Sequence, residues 1–482
     1  MTTTIQNTLR DSKAARWVAL IIVSFTMMWG YFLTDAMSPL MDMLGISIDQ
    51  GGMGWSAGDF GWFNFAYSLF NVYCLMLLFG GIILDTFGVR LTGLVSCFFM
   101  VLGAGIKYYS VEYIAPGGDP VLNLPIIGLC LNKQVLVACL GYAFFGVGCE
   151  NCGITVSKVL AKWFEGYELA LAMGVQVAVA RLGTGFAFLI SPGLAKSFSM
   201  STPLFASFVL LVIGLLAYMV FCVMDTKLDK QLPHATKESD DNENFKITDL
   251  KYILNNKGFW LIATLCLCFY SAVFPFMKYA TSLMINKYEV NQVVEFDLFG
   301  SHFIQPLAGL LVMLIPFGNL IMTPVFGSIY DKHGKGATIM MIGSVLLIVV
   351  HVLFALPLFN VWWFAAADMV LLGIAFSLVP SAMWPSVPKI IPLKLLGSAY
   401  ALIFLIQNIG LGLVPLGIGK VLENMCITGT VMRDGAEVVQ YDYTLPMCIF
   451  AVFGIIALVL AYLLKAEDTK KGYGLEKANI KG

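Results

Sequence analysis

The sequence predicts an all-α membrane protein, with twelve transmembrane helices arranged as two pseudo-symmetric six-helix bundles. Three observations predict it. The chain is 59% hydrophobic and only 12% charged, where ordinary soluble domains carry roughly 25% charge, and its mean hydropathy is +0.83. Its apolar residues gather into long runs, six on either side of one charged stretch. A short loop motif then occurs twice, at the same place in each set of six.

Each run is measured against the roughly 20 mostly apolar residues that cross a bilayer. Runs near 17–38, 60–84, 90–108, 135–158, 168–190 and 204–224 meet that length. Asp225 to Lys257 follows, rich in Asp, Glu, Lys and Asn and without apolar periodicity. Runs near 258–283, 306–326, 337–356, 361–386, 396–420 and 445–464 complete the set, and a polar tail closes the chain. The expected organisation is an N-terminal bundle over 1–224, a cytoplasmic linker over 225–257, and a C-terminal bundle with its tail over 258–482. Six, a charged linker and six is the layout of an internally duplicated membrane protein. The run from Trp17 is too long for a cleaved signal core and lacks a cleavage site, so it reads as a retained first span.

Lysine and arginine orient the layout. With the N-terminus inside, 21 of them fall on inner segments and seven on outer segments or outer helix ends, Arg181 being left within a span. Positive residues favour the cytoplasmic side, so both termini are expected there. The absence of Asn-x-Ser/Thr sequons and the short tails favour a bacterial cytoplasmic membrane.

The repeated motif follows the second span of each half: GGIILDTFGVR over Gly80–Arg90, and GSIYDKHGKG over Gly327–Gly336. Small residues let helix ends approach closely. Asp85 and Asp331 can accept from a neighbouring helix N-terminus or pair with a basic residue, and Arg90 and Lys335 supply basic anchors. Such contacts would hold one face closed and break when it opens.

Several classes are excluded. A net charge of −1 offers nothing to a nucleic acid. The eleven cysteines are scattered and mostly lie in apolar runs, where they behave as small hydrophobes. There is no Walker phosphate loop, no HExxH or similar metal spacing, and no nucleophile elbow. No catalytic set, metal or cofactor is therefore expected. The expected partners are a small-molecule ligand and the lipid bilayer, with the chain acting as a monomer.

Charges within spans carry the most information, because each costs at least ~2.5 kcal/mol at mid-bilayer. Glu150 lies about 15 Å and Arg181 about 20 Å from the inner face, at 1.5 Å per helical residue, so both are central in a ~30 Å core. Two readings stand. A permanent buried ion pair would fix the packing. Alternatively both line a cavity, Glu150 taking an ammonium group and Arg181 gripping a carboxylate with its planar fork. Lys278 follows Phe274-Pro275-Phe276 in the outer half of the seventh span. It either snorkels to the interface or adds a carboxylate contact. Asp35, one turn after Tyr31, is a gate, an ammonium contact or a wetted helix end. Asn71 and Asn408 either hydrogen-bond a ligand or join helices, as do Gln176 and Gln407. Trp384 sits in a proline-rich break, Pro380 to Pro388, of the tenth span; it is either part of a hinge or gate or an interfacial tryptophan without a functional role.

The two loops resemble the signature loop of the major facilitator superfamily. GYFLTDAMSP (Gly30–Pro39), YSLFNVYC (Tyr67–Cys74), Gly146–Thr184 and Ser381–Gly412 resemble, more narrowly, the branch of the lysosomal dipeptide uniporter and its microbial relatives. The resemblance implies the major facilitator fold and a secondary transporter working by alternating access. It also implies a substrate-contacting Glu and Arg at Glu150 and Arg181, and its specific blocks include Asn71 and Asn408; Tyr31, Asp35, Lys278 and Trp384 join the expected binding set from their own chemistry and position. Lys278 departs from the branch, which carries a small residue there. Tyr142 stands where many proton-driven relatives carry an Arg, which favours facilitated transport or exchange. The resulting expectation is a carrier of dipeptides or similar zwitterions. The alternatives are an exchanger or proton-coupled carrier of small organic anions using Arg181 and Lys278, and a non-transporting receptor or scaffold.

Overall fold

In lipid every backbone N–H and C=O must be satisfied within the chain, so an apolar run of this length folds as a helix. The computed structural model describes residues 8–164, 167–231, 247–298, 301–358, 360–392, 395–433 and 435–478. The middle of the expected linker, 232–246, lies outside the described residues, as do Lys394 and the side chain of Asp85.

Eleven described helices are long and apolar enough to span a membrane, and a bent pair supplies the twelfth. The first half holds α1 (Lys13–Asp35), α2 (Ala57–Tyr73 continuing as Met76–Leu84), α3 (Thr86–Tyr113), α4 (Lys133–Trp163), α5 (Leu169–Ser197) and α6 (Thr202–Gln231). A short helix, Ile247–Leu254, leads into the second half. That half holds α7 (Lys257–Tyr288), α8 (Leu307–His333), α9 (Gly336–Ala355), α10 (Trp362–Ile390), α11 (Leu396–Met425) and α12 (Thr444–Lys471). Water-facing helix ends are capped by polar side chains. Asn132 accepts from Val135 N–H at 2.9 Å at the start of α4, and Asn256 from Phe259 N–H at 3.2 Å at the start of α7.

Two expectations about the spans are corrected. The second span is not one rod: it bends by 54° where Leu75 takes a left-handed backbone, φ 53°. The tenth is not broken, because α10 runs unbroken from Trp362 to Ile390 with Pro380, Pro385 and Pro388 inside it. Three antiparallel hairpins among the described residues were not foreseen: β1–β2 (Leu122–Leu124, Leu129–Leu131), β3–β4 (Val293–Leu298, Ser301–Pro306) and β5–β6 (Ile427–Arg433, Ala436–Tyr441).

The hairpins mark one face of the molecule. The opposite face, here the terminal face, gathers the chain ends. Leu9 N–H donates to Gln231 at 2.8 Å, Arg16 pairs with Glu168 at 3.3 Å, and Lys257 pairs with Glu467 at 3.1 Å. These contacts place the starts of α1, α5 and α7 beside the ends of α6 and α12.

The two halves meet closely at the hairpin face. A Cβ on Gly419 of α11 would lie 2.4 Å from the Ala57 carbonyl and 2.9 Å from Gly61 Cα on α2, so no side chain fits there. Polar groups extend the seal: Asp42 accepts from Ser282 and, at 3.1 Å, from Asn286. Arg433 of β5 donates to Asn286 at 3.2 Å and lies 3.5 Å from Asp42.

Candidate functional site

Between the halves lies a cavity of about 800 Å³, lined by helices of both bundles. Its deep end is bounded by Thr34, Asp35, Lys278 and Pro415, toward the hairpin face; its other end reaches Leu171 and Thr323, toward the terminal face. Leu171, in the first turn of α5, is 57% exposed. The cavity thus reaches toward the terminal face and is closed at the hairpin face.

Glu150 and Arg181 both line this cavity. Glu150 projects from α4 and accepts a hydrogen bond from the Tyr67 hydroxyl of α2 at 2.8 Å. Arg181 projects from α5 into a cage of rings: its guanidinium carbon is 5.1 Å from the centroids of Phe274 and Phe376 and 5.6 Å from that of Tyr31. Each such face contributes roughly 0.5–1 kcal/mol of cation–π attraction, which holds the cation without using its N–H donors. Among the described residues no ion pair within 4.0 Å joins Arg181 to Glu150 or to any other carboxylate. The two charges therefore face one space from one half, one anchored by a phenol and the other by aromatic rings.

Asp35 and Lys278 form the roof. Their ion pair, at 2.7 Å, joins α1 to α7 and so bridges the halves. Lys278 also donates to the Thr34 carbonyl at 2.7 Å and the Tyr142 hydroxyl at 3.3 Å. Its three ammonium donors are all engaged, so it neither snorkels nor stands open as a carboxylate receptor. Asp35 is buried in this pair and is not a wetted helix end. Tyr142, stacked on Phe63 at 4.5 Å, donates to the Thr34 carbonyl at 2.6 Å. Behind it Lys107 of α3 is fully buried, 4.0 Å from the Tyr142 ring centroid, and donates to the Leu33 carbonyl at 3.3 Å. Lys107 is one of the seven basic residues counted on outer segments or outer helix ends in the sequence.

The remaining expected residues divide. Tyr31, Trp384 and Asn408 line the cavity. Trp384 stacks on Phe404 at 5.1 Å and donates to the Tyr270 hydroxyl at 3.1 Å. Asn408 accepts from Ser68 at 3.4 Å and so joins α11 to α2. Asn71 is corrected: it is fully buried, is absent from the cavity wall, and donates to the Tyr67 carbonyl at 3.4 Å.

At the terminal face Arg90 reaches the acidic end of α6, 2.9 Å from Asp229 and 3.7 Å from Asp225. Lys162, at the end of α4, pairs with the same carboxylates at 2.6 and 2.8 Å, and Trp163 donates to Asp225 at 3.0 Å. The first signature loop is thereby fastened to α4 and α6. In the second copy Asp331 lies in the last turn of α8, and Lys335 opens α9 in a left-handed conformation, φ 62°.

A family model described as Major Facilitator Superfamily matches residues 20–415. The chain belongs to the major facilitator superfamily. It is 28% identical over 370 residues to the lysosomal dipeptide transporter MFSD1 of Homo sapiens, covering 74% of this chain and 70% of that one. It is 27% identical over 307 residues to the Gallus gallus protein of the same name, covering 62% and 64%. The match thus spans less than two thirds of the chicken relative's length. A crystal structure of the peptide transporter POT in complex with sulfate superposes with a TM-score of 0.62 at 15% identity, covering 95% and 96% of the two chains.

As a major facilitator protein, the chain is an integral multi-pass membrane transporter of a small solute, built as two six-helix bundles. Sequence reasoning missed the aromatic cage around Arg181 and the buried Lys107. A lysine inside the run LGAGIKYY was the available signal for Lys107. The cage had none, because phenylalanine is spread through every span.

Proposed function

We propose that this transporter carries dipeptides or closely similar zwitterions by uniport, the halves rocking about the cavity by alternating access. The observation that carries the reading is the pair of unjoined charges, Glu150 and Arg181, on one cavity wall. A zwitterion supplies what each lacks: an ammonium group for Glu150 and a planar carboxylate for the Arg181 fork. The names of the MFSD1 relatives support the same substrate class.

Alternating access requires one face to close while the other opens. The roof pair Asp35–Lys278 and the Asp42–Asn286–Arg433 cluster join the halves at the hairpin face. Both must part for that face to open. The excess of lysine and arginine makes the terminal face cytoplasmic, and the described conformation then faces inward. Exchange of organic anions between Arg181 and Lys278 is disfavoured, because Lys278 already spends its donors on Asp35, Thr34 and Tyr142. Purified protein with a broad dipeptide panel tests the substrate claim. Thermal stabilisation by dipeptides but not by dicarboxylates is expected, and no shift with any dipeptide would sink it.

A further inference from the structure

The second signature loop carries contacts that the transport cycle does not explain. The chain continues beyond α12, and its tail turns back across the terminal face. Glu476 lies against the start of α9: its carboxylate accepts from Thr338 N–H at 3.0 Å and from the Thr338 hydroxyl at 2.8 Å. The tail's backbone pairs with the loop itself. Lys335 N–H donates to the Glu476 carbonyl at 3.0 Å, and Gly336 N–H to the Leu475 carbonyl at 2.9 Å. Leu475 is fully buried. Lys389, at the end of α10, donates to the carbonyls of Gly474 at 3.2 Å and Lys477 at 3.0 Å.

We infer that the second signature loop is a docking site for the chain's own C-terminal tail, and that the docked tail fastens the terminal ends of the second half into one rigid block. Two observations beyond the helix start carry this. The first is the use of glycine. Gly88 and Gly334 are corresponding glycines of the two loop copies, and both have φ in the left-handed range, 75° and 68°. Around Gly88 a Cβ would meet no described atom within 4 Å. At Gly334 it would lie 2.5 Å from the Glu476 carbonyl oxygen and 2.6 Å from Ala478 N. The first glycine answers only to its backbone angles, whereas the second also makes room for the tail.

The second observation is how the halves fasten corresponding helix ends. Lys162 and Lys389 are the penultimate residues of α4 and α10. Lys162 is held by carboxylates of α6, whereas Lys389 is held by tail carbonyls. The tail thus does for α8, α9 and α10 what Asp225 and Asp229 do for α3 and α4. Glu476 suits the start of α9, where unpaired N–H groups and the helix dipole favour a carboxylate. Its partners all belong to the second half, so the docked tail travels with that half through the cycle. Because α8 and α10 both line the cavity mouth, through residues such as Thr323 and Pro380, the strut also fixes that edge.

A double-mutant cycle on the detergent-purified protein tests this independently of solute identity. Gly88→Ala and Gly334→Ala both force alanine into positive φ. In the full chain Gly334→Ala is expected to lower Tm roughly twice as far, because it also expels the tail. In a chain stopped after Lys471 the two substitutions are expected to cost the same. Equal costs in the full chain, or an excess for Gly334→Ala that survives truncation, would overturn the inference. If Gly334→Ala does not fold, Glu476→Ala is compared with Lys477→Ala for digestion of the tail by carboxypeptidase. Faster digestion with Glu476→Ala alone is expected; equal rates for the two overturn the docking.

Discussion

Replacing Arg181 by alanine separates a substrate charge from a structural one. The guanidinium touches three aromatic rings and, among the described residues, no carboxylate within 4.0 Å. Its removal forfeits three cation–π contacts of roughly 0.5–1 kcal/mol each and relieves a mid-bilayer charge costing about 2.5–3.5 kcal/mol. These terms nearly cancel, so Tm without ligand should move by only a few degrees. Had Arg181 been locked to Glu150, the substitution would strand a buried carboxylate at about 3–5 kcal/mol and lower Tm correspondingly further. Binding responds differently. Losing one partner of a desolvated charge pair costs about 3 kcal/mol, which is roughly a 150-fold loss of affinity. The assay is a thermal melt of purified wild type and Arg181→Ala across a dipeptide titration. A large fall in ligand-free Tm would refute the reasoning, as would ligand stabilisation that persists in the variant.

Three further outcomes follow from the same contacts. Glu150→Gln keeps an acceptor for the Tyr67 hydroxyl but loses the counter-charge for an ammonium. The fold should hold while dipeptide affinity drops at least about tenfold, and N-acetylated dipeptides should fail to compete on the wild type; competition by acetylated peptides would count against Glu150. Asp35→Asn and Lys278→Met each leave one buried roof charge unpaired, a cost of about 3–5 kcal/mol, and the double substitution should cost less than the sum of the two, as read by melts of all four proteins. Asp225, almost fully buried beneath Lys162 and Trp163, should lose more stability on mutation to alanine than the more exposed Asp229, and comparison of their melting temperatures checks this.

The spans were legible because lipid imposes a length on every apolar run and punishes each charge placed inside one. That rule found Glu150 and Arg181 without any structural information. It could not find the bend at Leu75, because YCLMLLFGG is apolar on both sides of the turn and holds no proline. The hairpins were hidden because a hydropathy window sees VVEFDL and SHFIQP only as gaps between spans. The proline-rich tenth span was misread as broken; its packing accommodates Pro380, Pro385 and Pro388 within a continuous helix. Asn71 was placed in the binding set because it lies in a block that resembles the family branch, and its helix face turns it into the protein interior. The Asp35–Lys278 pair joins residues 243 positions apart, and no local pattern announces it. Lys335 was read as a basic anchor, yet it is the loop's backbone that is anchored, by the polar tail.

The central claim is that Glu150 and Arg181 hold the two ends of a zwitterion that crosses the membrane without a coupling ion. Uptake of a labelled dipeptide into proteoliposomes, with and without an imposed pH gradient, tests it most directly. The account predicts saturable uptake that equilibrates across the membrane, does not respond to the gradient, and disappears in Arg181→Ala. Uptake that concentrates the dipeptide when the gradient is imposed, or that survives Arg181→Ala, would contradict it.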